Sequence, residues 1–507
     1  MMKRLEPLTR RWVVAFATIV LCATMLPGVN QTAAPIDPAV VSGGYALVRV
    51  AHGAAESVAA EARAAGAGDV AALDALDMVT AQVTTDALRA IRFDARVKFV
   101  GADLIVTASD KDGEFERDDD KDKTSRKVSA GIAAIGAPDA WRKATGKGIT
   151  VALMDTGVAQ HPDLEGSVVA RLDFVKDGAT SLDPGGHGTF MAGLIAAHGK
   201  TFSGVAPDAK IVSLRVLDAK GTGTLHSVLG AFDWLLHNRA AYGIRVLNLS
   251  FGAPQAASYH RELLAGVVES AHFAGVVVIA AAGNDGPKPG TVSLPAADPF
   301  VVAVGSFADK GKTDKDNFKE STFSSRGPTL DGFVKPDVLA PGEHVVSLRV
   351  PGTMLDRAAN PGDTSAYARL TGTSASSAMV AGVAALVLQA HRSYTPTQVK
   401  GAITAGGVRI NGSKTPGADA EKSIETRPAR ANVGVLPSKL LMALLQHSGQ
   451  LLADGVSWEG ISWEGISWES VSWEGISWDS VSWESVSWES VTWESVTWEA
   501  VSWDALR

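Results

Sequence analysis

The sequence predicts an α/β protein built on a doubly wound, mostly parallel sheet, with a small α+β unit before it and a repeat tail after it. From residue 129 onward, short β-branched runs alternate with longer small-residue or amphipathic stretches, which is the order of strands and helices in a parallel sheet. The predicted strands cover residues 149–154, 210–216, 246–251, 276–282 and 300–305, and the predicted helices cover residues 187–197, 224–241 and 261–274.

Length and composition are those of a globular protein with two or three domains. The chain has 507 residues, of which 46% are hydrophobic and 20% charged. Its formal net charge of −8 lies almost entirely in residues 456–507, which carry ten acidic residues and one Arg. The remaining chain is nearly neutral and has no basic patch, so we expect no nucleic-acid partner.

The N-terminus has the layout of a secretory signal. Residues 1–11 are basic, residues 12–27 form an apolar run, and small and polar residues follow. We therefore predict a signal peptide over residues 1–34 and a secreted protein, with an uncleaved membrane anchor as the alternative. The single cysteine, Cys22, lies inside the apolar run. Removal of the signal would leave no thiol, which excludes a cysteine catalyst.

Residues 41–110 form the predicted α+β unit, with the order strand, helix, strand, helix, strand. The strands are expected at residues 45–50, 76–84 and 96–107, the last as one or two strands, and the helices at residues 54–65 and 85–91. This unit contains no chemical motif, so a generic accessory domain is one interpretation of it.

A charged linker is predicted over residues 111–128. The segment carries many acidic and basic residues and a single aromatic residue, Phe115, so it cannot bury enough apolar surface to order itself. The run Asp118-Asp119-Asp120 suggests a calcium site as an alternative, but it lacks the spaced ligands and the glycine turn of a calcium loop.

Four polar residues stand at the ends of predicted buried elements. Asp155 ends a strand, His187 opens a helix, Asn284 follows a strand, and Ser374 begins a long apolar helix. Taken singly, each has an ordinary interpretation as a turn residue or a helix cap. Taken together they indicate a site, because functional residues of parallel sheets gather at the carboxyl ends of the strands.

The segments that carry these four residues occur in a fixed order along the chain. They read VALMDTG at 151–157, GHGT at 186–189, VVVIAAAGN at 276–284 and GTSASSAMVAG at 372–382. In this order they resemble the motifs of the subtilisin-type serine proteases, or subtilases. The resemblance implies a subtilisin-like catalytic domain over residues 129–446. It also implies that the unit at 41–110 is a propeptide, which assists folding and then inhibits the enzyme until it is removed.

The resemblance also assigns roles to individual residues. Ser374 would be the nucleophile, His187 the general base and Asp155 the group that orients the histidine. Asn284 would donate a hydrogen bond to the oxyanion of the tetrahedral intermediate. No cofactor is required for this chemistry. A structural calcium ion is compatible with the family but not indicated here, since residues 198–203 are short and poor in Asn and Asp.

Polypeptide substrates are expected to bind as an added strand between two segments of the chain. The residues that the resemblance assigns to substrate binding are Gly221, Thr222, Gly223, Ser250, Phe251, Gly252, Ala281 and Ala282. Phe251, Ala281 and Ala282 would line an apolar pocket, whereas Asp285 at its rim would admit a basic side chain. The sequence does not choose between these two preferences.

The C-terminal tail, residues 456–507, contains ten consecutive pentads at 456–505, of the form [Val/Ile]-[Ser/Thr]-Trp-[Glu/Asp]-[Ser/Gly/Ala]. A period of five aligns the tryptophans on neither a simple strand nor a helix, but it would stack them in a β-solenoid. The tail resembles tandem Ser-Trp repeats of some bacterial exported subtilases. We expect an ordered module that binds the cell envelope or self-associates, with a disordered linker as the alternative.

The predicted function is a secreted serine endopeptidase, made as a self-processed precursor, that hydrolyses peptide bonds through an acyl-enzyme. A different class of function is a catalytically silent subtilase-like scaffold that attaches to the cell envelope through its repeats. Because Asp155, His187, Asn284 and Ser374 are all present, the sequence favours the enzyme.

Overall fold

The computed structural model describes most of the chain between residues 33 and 442. The predicted linker at 111–128, the tail at 456–507 and nearly all of the predicted signal lie outside the described residues, so these three assignments stay predictions. The described ranges are 33–110, 129–313, 315–353, 355–356, 365–427, 431–439 and 441–442.

The N-terminal unit is a four-stranded antiparallel sheet with two helices packed on one face. Strand β1 lies in the middle and pairs with both β3 and β4, giving the order β2-β3-β1-β4. Its elements are β1 (Tyr45–Val50), α1 (Ala55–Ala64), β2 (Gly68–Leu73), β3 (Met78–Gln82), α2 (Thr85–Phe93) and β4 (Val97–Ala102). Strand β2 is an addition to the sequence prediction. It is an edge strand that is only partly buried, and its sequence lacks the apolar alternation that reveals a strand.

The larger sheet has eight strands, and all of its pairs are parallel except that of β13 with β14. The order is β14-β13-β12-β10-β6-β8-β7, with β15 also beside β13. This arrangement confirms the predicted doubly wound class. The strands are β6 (Thr150–Asp155), β7 (Val168–Asp173), β8 (Lys210–Arg215), β10 (Ile244–Leu249), β12 (Val277–Ala281), β13 (Val302–Ala308), β14 (Lys319–Glu320) and β15 (Val338–Pro341).

Helices cover both faces of this sheet, so alternate residues of each strand enter different cores. In β6, Val151 and Leu153 pack with the apolar residues of two helices on one face, whereas Ala152 and Met154 pack with two helices on the other. The helices of the first face are α5 (His187–Ala196) and α8 (Thr373–Ala390), and those of the second are α6 (Leu225–Tyr242) and α7 (Leu263–Phe273). The remaining helices are α3 (Ala130–Ala134), α4 (Ala137–Ala140), α9 (Pro396–Ala405) and α10 (Ala420–Glu425).

Helix α8 runs through the centre of the protein. Its residues from Thr373 to Leu388 are all buried, which explains why its sequence is apolar on every side. Within the described part of the chain, it is the one helix long and apolar enough to cross a membrane, but 89% of it is covered by the protein itself. Its length and composition therefore reflect a core position.

The N-terminal unit docks on α6 through the outer face of its sheet. Leu47 and Met78 belong to the same apolar core as Leu229 and Phe232 of α6. Polar contacts frame this interface: Ala75 N donates to Asp233 Oδ1 at 2.9 Å, and the ring of Tyr45 stacks on His226 at 4.0 Å. The unit thus buries apolar surface against the domain that carries the candidate site.

After β4 the chain leaves the N-terminal sheet and joins a different one. Strand β5 (Ile105–Ala108) lies antiparallel between β9 (Thr222–Thr224) and β11 (Phe251–Gly252). A two-stranded antiparallel sheet of β16 (Val345–Leu348) and β17 (Tyr367–Leu370) completes the described strands.

Candidate active site

Asp155 and His187 meet at the carboxyl edge of the parallel sheet. Asp155 is the last residue of β6, a central strand, and His187 is the first residue of α5. His187 Nδ1 lies 2.6 Å from Asp155 Oδ1, and Thr156 N donates to the same oxygen at 2.7 Å. Both side chains are almost completely buried. The carboxylate therefore holds a proton on Nδ1 and leaves Nε2 as the ring nitrogen directed away from Asp155.

A second buried carboxylate, Asp183, holds the start of α5 in place. Gly186 N and Thr156 Oγ1 donate to its Oδ1, each at 2.7 Å, while Thr189 N and Oγ1 donate to its Oδ2 at 2.8 and 2.5 Å. Burial raises the pKa of Asp183, and the four donors oppose that effect. Sequence reasoning missed this residue. Its signal was an acidic residue just before a glycine-rich helix start.

Close approach of backbone to backbone fixes the distance between β6 and α5. A Cβ atom added to Gly188, the second residue of α5, would lie 1.9 Å from Gly157 O. Only glycine fits there, which explains the residue that follows His187 in the sequence.

Ser374 lies in the first turn of α8 and is completely buried. Its backbone N–H donates to Ser109 O at 3.3 Å, and its Oγ donates to Ser250 O at 2.9 Å. A hydroxyl has one proton to donate, so in this arrangement the Ser374 hydroxyl is not directed at His187.

Asn284 is held beside the same helix start by its amide oxygen. Asn284 Oδ1 accepts hydrogen bonds from Thr373 N and Thr373 Oγ1, both at 3.0 Å. Its Nδ2 is buried and has no hydrogen-bond partner among the residues that the structure describes. An unpaired buried donor is costly unless something else uses it, which favours the predicted role as an oxyanion donor.

The two segments predicted to bind a substrate hold the chain's own β5 between them. We call the groove between these segments, residues 221–223 and 250–252, the cleft. Val106 pairs with Gly223, and Ala108 pairs with Phe251. The next contacts are Ala108 N to Gly221 O at 2.8 Å and Ser109 N to Ser250 O at 3.0 Å. Thr222 and Gly252 both pair with Thr107, so six of the predicted substrate-binding residues line this strand.

Asp110, two residues after β5, faces the histidine. His187 Nε2 lies 3.1 Å from Asp110 Oδ2 and 3.2 Å from its Oδ1. Burial by itself lowers the pKa of His187, but the carboxylates of Asp110 and Asp155 outweigh it and raise that pKa well above the usual value. With the strand in place, the imidazole is therefore held in its charged form.

The predicted pocket residues Phe251, Ala281 and Ala282 are fully buried. Phe251 belongs to the apolar core beneath the strand, and Ala282 N donates to Val304 O at 2.9 Å. Asp285, expected at the pocket rim, is exposed. The role of these residues in side-chain preference stays a prediction.

No group of three or more His, Cys, Asp or Glu residues suited to a metal ion occurs within the described ranges. The segment considered for calcium, residues 198–203, closes through an antiparallel bridge between His198 and Ser203. The expectation of chemistry without a cofactor stays a prediction.

Comparison with known proteins decides the family. Residues 146–416, just over half of the chain, match the model of the subtilase family. The chain is a subtilase. All four predicted catalytic positions fall inside the matched residues, and the family and its serine protease members support a serine endopeptidase.

Two curated relatives of this subtilase illustrate the match. Serine protease AprX of Bacillus subtilis is 38% identical over 266 residues, which span 50% of this chain and 60% of AprX. Subtilisin Savinase of Lederbergia lenta is 36% identical over 304 residues, which span 58% of this chain and 99% of that protein.

A solved structure gives the same fold. The crystal structure of fervidolysin from Fervidobacterium pennivorans, a keratinolytic enzyme related to subtilisin, matches with a TM-score of 0.60. The two chains are 23% identical, and the match covers 79% of this subtilase and 64% of fervidolysin. It supports the fold of this chain and nothing about its substrate.

Proposed function

We propose that this subtilase is a secreted endopeptidase, made as a precursor that processes itself, in which Asp155, His187 and Ser374 hydrolyse peptide bonds through an acyl-enzyme. One observation carries the proposal. The chain's own residues after β4 lie in the cleft as an extended strand, with Ser109 O at the N–H of Ser374. This placement is the one expected of a polypeptide substrate, and it supports the proposal.

The geometry supports a defined sequence of proton movements. His187, once neutral, accepts the hydroxyl proton of Ser374 as Oγ bonds to the substrate carbonyl carbon. Asp155, 2.6 Å from Nδ1, stabilises the imidazolium that forms. His187 then gives the proton to the leaving amine. Water attacks the acyl-enzyme in a second cycle of the same transfers and releases the acid.

Two donors are available to the negative oxygen of each tetrahedral intermediate. Ser374 N already donates to the Ser109 carbonyl at 3.3 Å, and Asn284 Nδ2 is buried without a partner among the described residues. Donors fixed in a buried site stabilise charge that develops only in the transition state. The first turn of α8 adds its positive end at the same point.

The substrate class follows from how β5 is held. Its contacts to Gly221, Gly223 and Ser250 are made by backbone atoms, which every polypeptide offers. Recognition by backbone pairing requires an extended segment and tolerates many sequences. We infer that loops and unfolded segments of proteins are the substrates.

The N-terminal unit, residues 41–110, acts as the inhibitory propeptide in this proposal. Its sheet docks on α6 through Leu47 and Met78, and its last strand fills the cleft. Export rests on the signal predicted at residues 1–34. Attachment to the cell envelope or self-association rests on the repeats at residues 456–507.

The test is to produce the full chain in a system free of other proteases. The wild type should convert to a shorter form, and a fluorophosphonate should label Ser374, as located by mass spectrometry. Ser374→Ala should remain full-length and unlabelled. Ser57→Ala, at an exposed serine on α1, is the matched control and should mature normally. Maturation of Ser374→Ala in this system would refute self-processing, and failure of the wild type to be labelled would refute the endopeptidase.

A further inference from the structure

We propose that the self-processing bond is the one between Ser109 and Asp110. We also propose that the Asp110 carboxylate delays cleavage of this bond by forming an ion pair with Nε2 of His187. This inference rests on the proposed self-processing. It adds two statements that can fail separately from it: which bond is cut, and what controls the rate.

The register in which residues 105–109 pair with the cleft determines which peptide bond lies next to Ser374. Ala108 N donates to Gly221 O at 2.8 Å, and Ser109 N donates to Ser250 O at 3.0 Å. These contacts leave the carbonyl of Ser109 at the N–H of Ser374, at 3.3 Å. A slip by one residue would break the pairing and reverse the face of every side chain in the strand. The bond that follows this carbonyl joins Ser109 to Asp110.

The protein is shaped closely around this bond. A Cβ atom added to Gly372, two residues before Ser374, would lie 2.7 Å from Ser109 O and 3.0 Å from Asp110 Cα. Atoms on both sides of the bond therefore lie close to the backbone just before the nucleophile, where only glycine leaves room for them. Ser109 is itself buried in the cleft.

The same arrangement prevents His187 from acting as the general base. Both oxygens of Asp110 lie within 3.2 Å of His187 Nε2, the nitrogen that must accept the Ser374 proton. Meanwhile Ser374 Oγ donates to Ser250 O at 2.9 Å. Substrate carbonyl and nucleophile are adjacent, but the proton acceptor is engaged by a carboxylate. Cleavage must wait until this contact opens.

The charge balance around the imidazole gives this delay a pH dependence. The charged groups that face the ring are Asp155 at the end of β6 and Asp110, two residues after β5. Asp183, on the loop before α5, is directed instead at Gly186 N and Thr189. Because the two facing carboxylates raise the pKa of His187, the ion pair with Asp110 is fully present below the usual histidine pKa. It is lost as pH rises through the raised value, so processing should accelerate with pH.

The chemical step is a hydrolysis that uses one water molecule. Ser374 Oγ bonds to the carbonyl carbon of Ser109, the bond to Asp110 N breaks, and the serine proton passes through His187 to that nitrogen. Water then cleaves the ester, giving a carboxyl group on Ser109 and an amino group on Asp110. The delaying carboxylate leaves with the new N-terminus, so later substrates meet no equivalent group unless they carry one.

The experiment follows processing of the full chain in a protease-free system, from mildly acidic to alkaline pH. Intact-mass spectrometry should find fragments that end at Ser109 and begin at Asp110. Asp110→Asn should process about tenfold faster than wild type near neutral pH, with its midpoint moved to lower pH. Asp110→Ser should show the same shift, which guards against an effect specific to asparagine. Asp86→Asn, at an exposed carboxylate of the same unit, should match the wild type.

The outcomes separate this inference from the proposed function. If the wild type does not process and does not cleave added peptides, the proposed function fails. If the wild type processes at a different bond, the assignment of the processing site is overturned. If the cut falls between Ser109 and Asp110 but Asp110→Asn and Asp110→Ser keep the wild-type rate and pH profile, the role of the carboxylate is overturned. A cut at this bond with faster processing in both variants supports both statements.

Discussion

Replacing Asp183 tests whether the site is held together by a residue that touches neither substrate nor nucleophile. Asp183→Ala removes a buried carboxylate that accepts four hydrogen bonds at the start of α5. The hydroxyls of Thr156 and Thr189 are free to rotate about their C–O bonds. The backbone N–H groups of Gly186 and Thr189 are not, because the helix start fixes them.

The expected cost follows from those two backbone donors. A buried donor left without a partner costs about 1–3 kcal/mol, so two of them cost about 2–6 kcal/mol. Removing the buried charge recovers part of this, since burial raises the pKa of Asp183 and thereby opposes its ionised form. We expect a net loss of about 2–4 kcal/mol, a large share of the stability of an ordinary domain.

The assay is guanidinium unfolding followed by circular dichroism, with every variant made in Ser374→Ala so that no self-digestion occurs. Asp208→Ala, at an exposed carboxylate of the same domain, is the control and should change stability by less than about 0.5 kcal/mol. In the active background, Asp183→Ala should also lower kcat/KM, because His187 begins the helix that Asp183 holds. A stability loss no larger than that of Asp208→Ala would refute the reasoning.

Three further predictions concern the processed enzyme acting on a chromogenic peptide. Asn284→Ala should lower kcat by about 100–1000-fold with little change in KM, the size seen for such a donor in subtilisin, and a loss below about tenfold would deny it an oxyanion role. Gly372→Ala should lower kcat/KM sharply, since the new Cβ would lie 2.7 Å from the position of Ser109 O, and unchanged kinetics would show that the cleft yields there. The kcat/KM of the processed enzyme should rise with pH as His187 loses its proton. This rise should occur at lower pH than the rise in the rate of precursor processing, because Asp110 no longer raises the pKa of His187. Two coincident pH profiles would contradict this.

The parts of the fold that sequence predicted are those with a strong local pattern. Strands β6 and β12 are buried on both faces, so they appear as nearly continuous apolar runs. Edge strand β2 is only partly buried, and its small and polar residues do not separate it from a loop. Residues 96–107 were expected to form one or two strands, and they divide into β4 and β5, which belong to different sheets.

The sequence by itself determined the family and the order of the candidate catalytic residues. Each of these residues ends, follows or begins an element with a clear apolar signal. Their positions at the sheet edge could therefore be expected before any contact was known. Chemistry of this type needs particular residue types, and those are visible in a linear string.

Only the tertiary structure decided which groups meet. The pairing of β5 with β9 and β11 joins residues more than a hundred positions apart, and local preferences carry no information about such a contact. Asp110 was predicted only as the last residue of the N-terminal unit, next to a charged linker, yet it lies 3.1 Å from His187 because that pairing brings it there. Asp183 looked like a loop residue, and its four donors converge on it only once α5 has packed against β6. Long-range packing fixes such contacts, because their free energy comes from burial and from hydrogen bonds between distant segments.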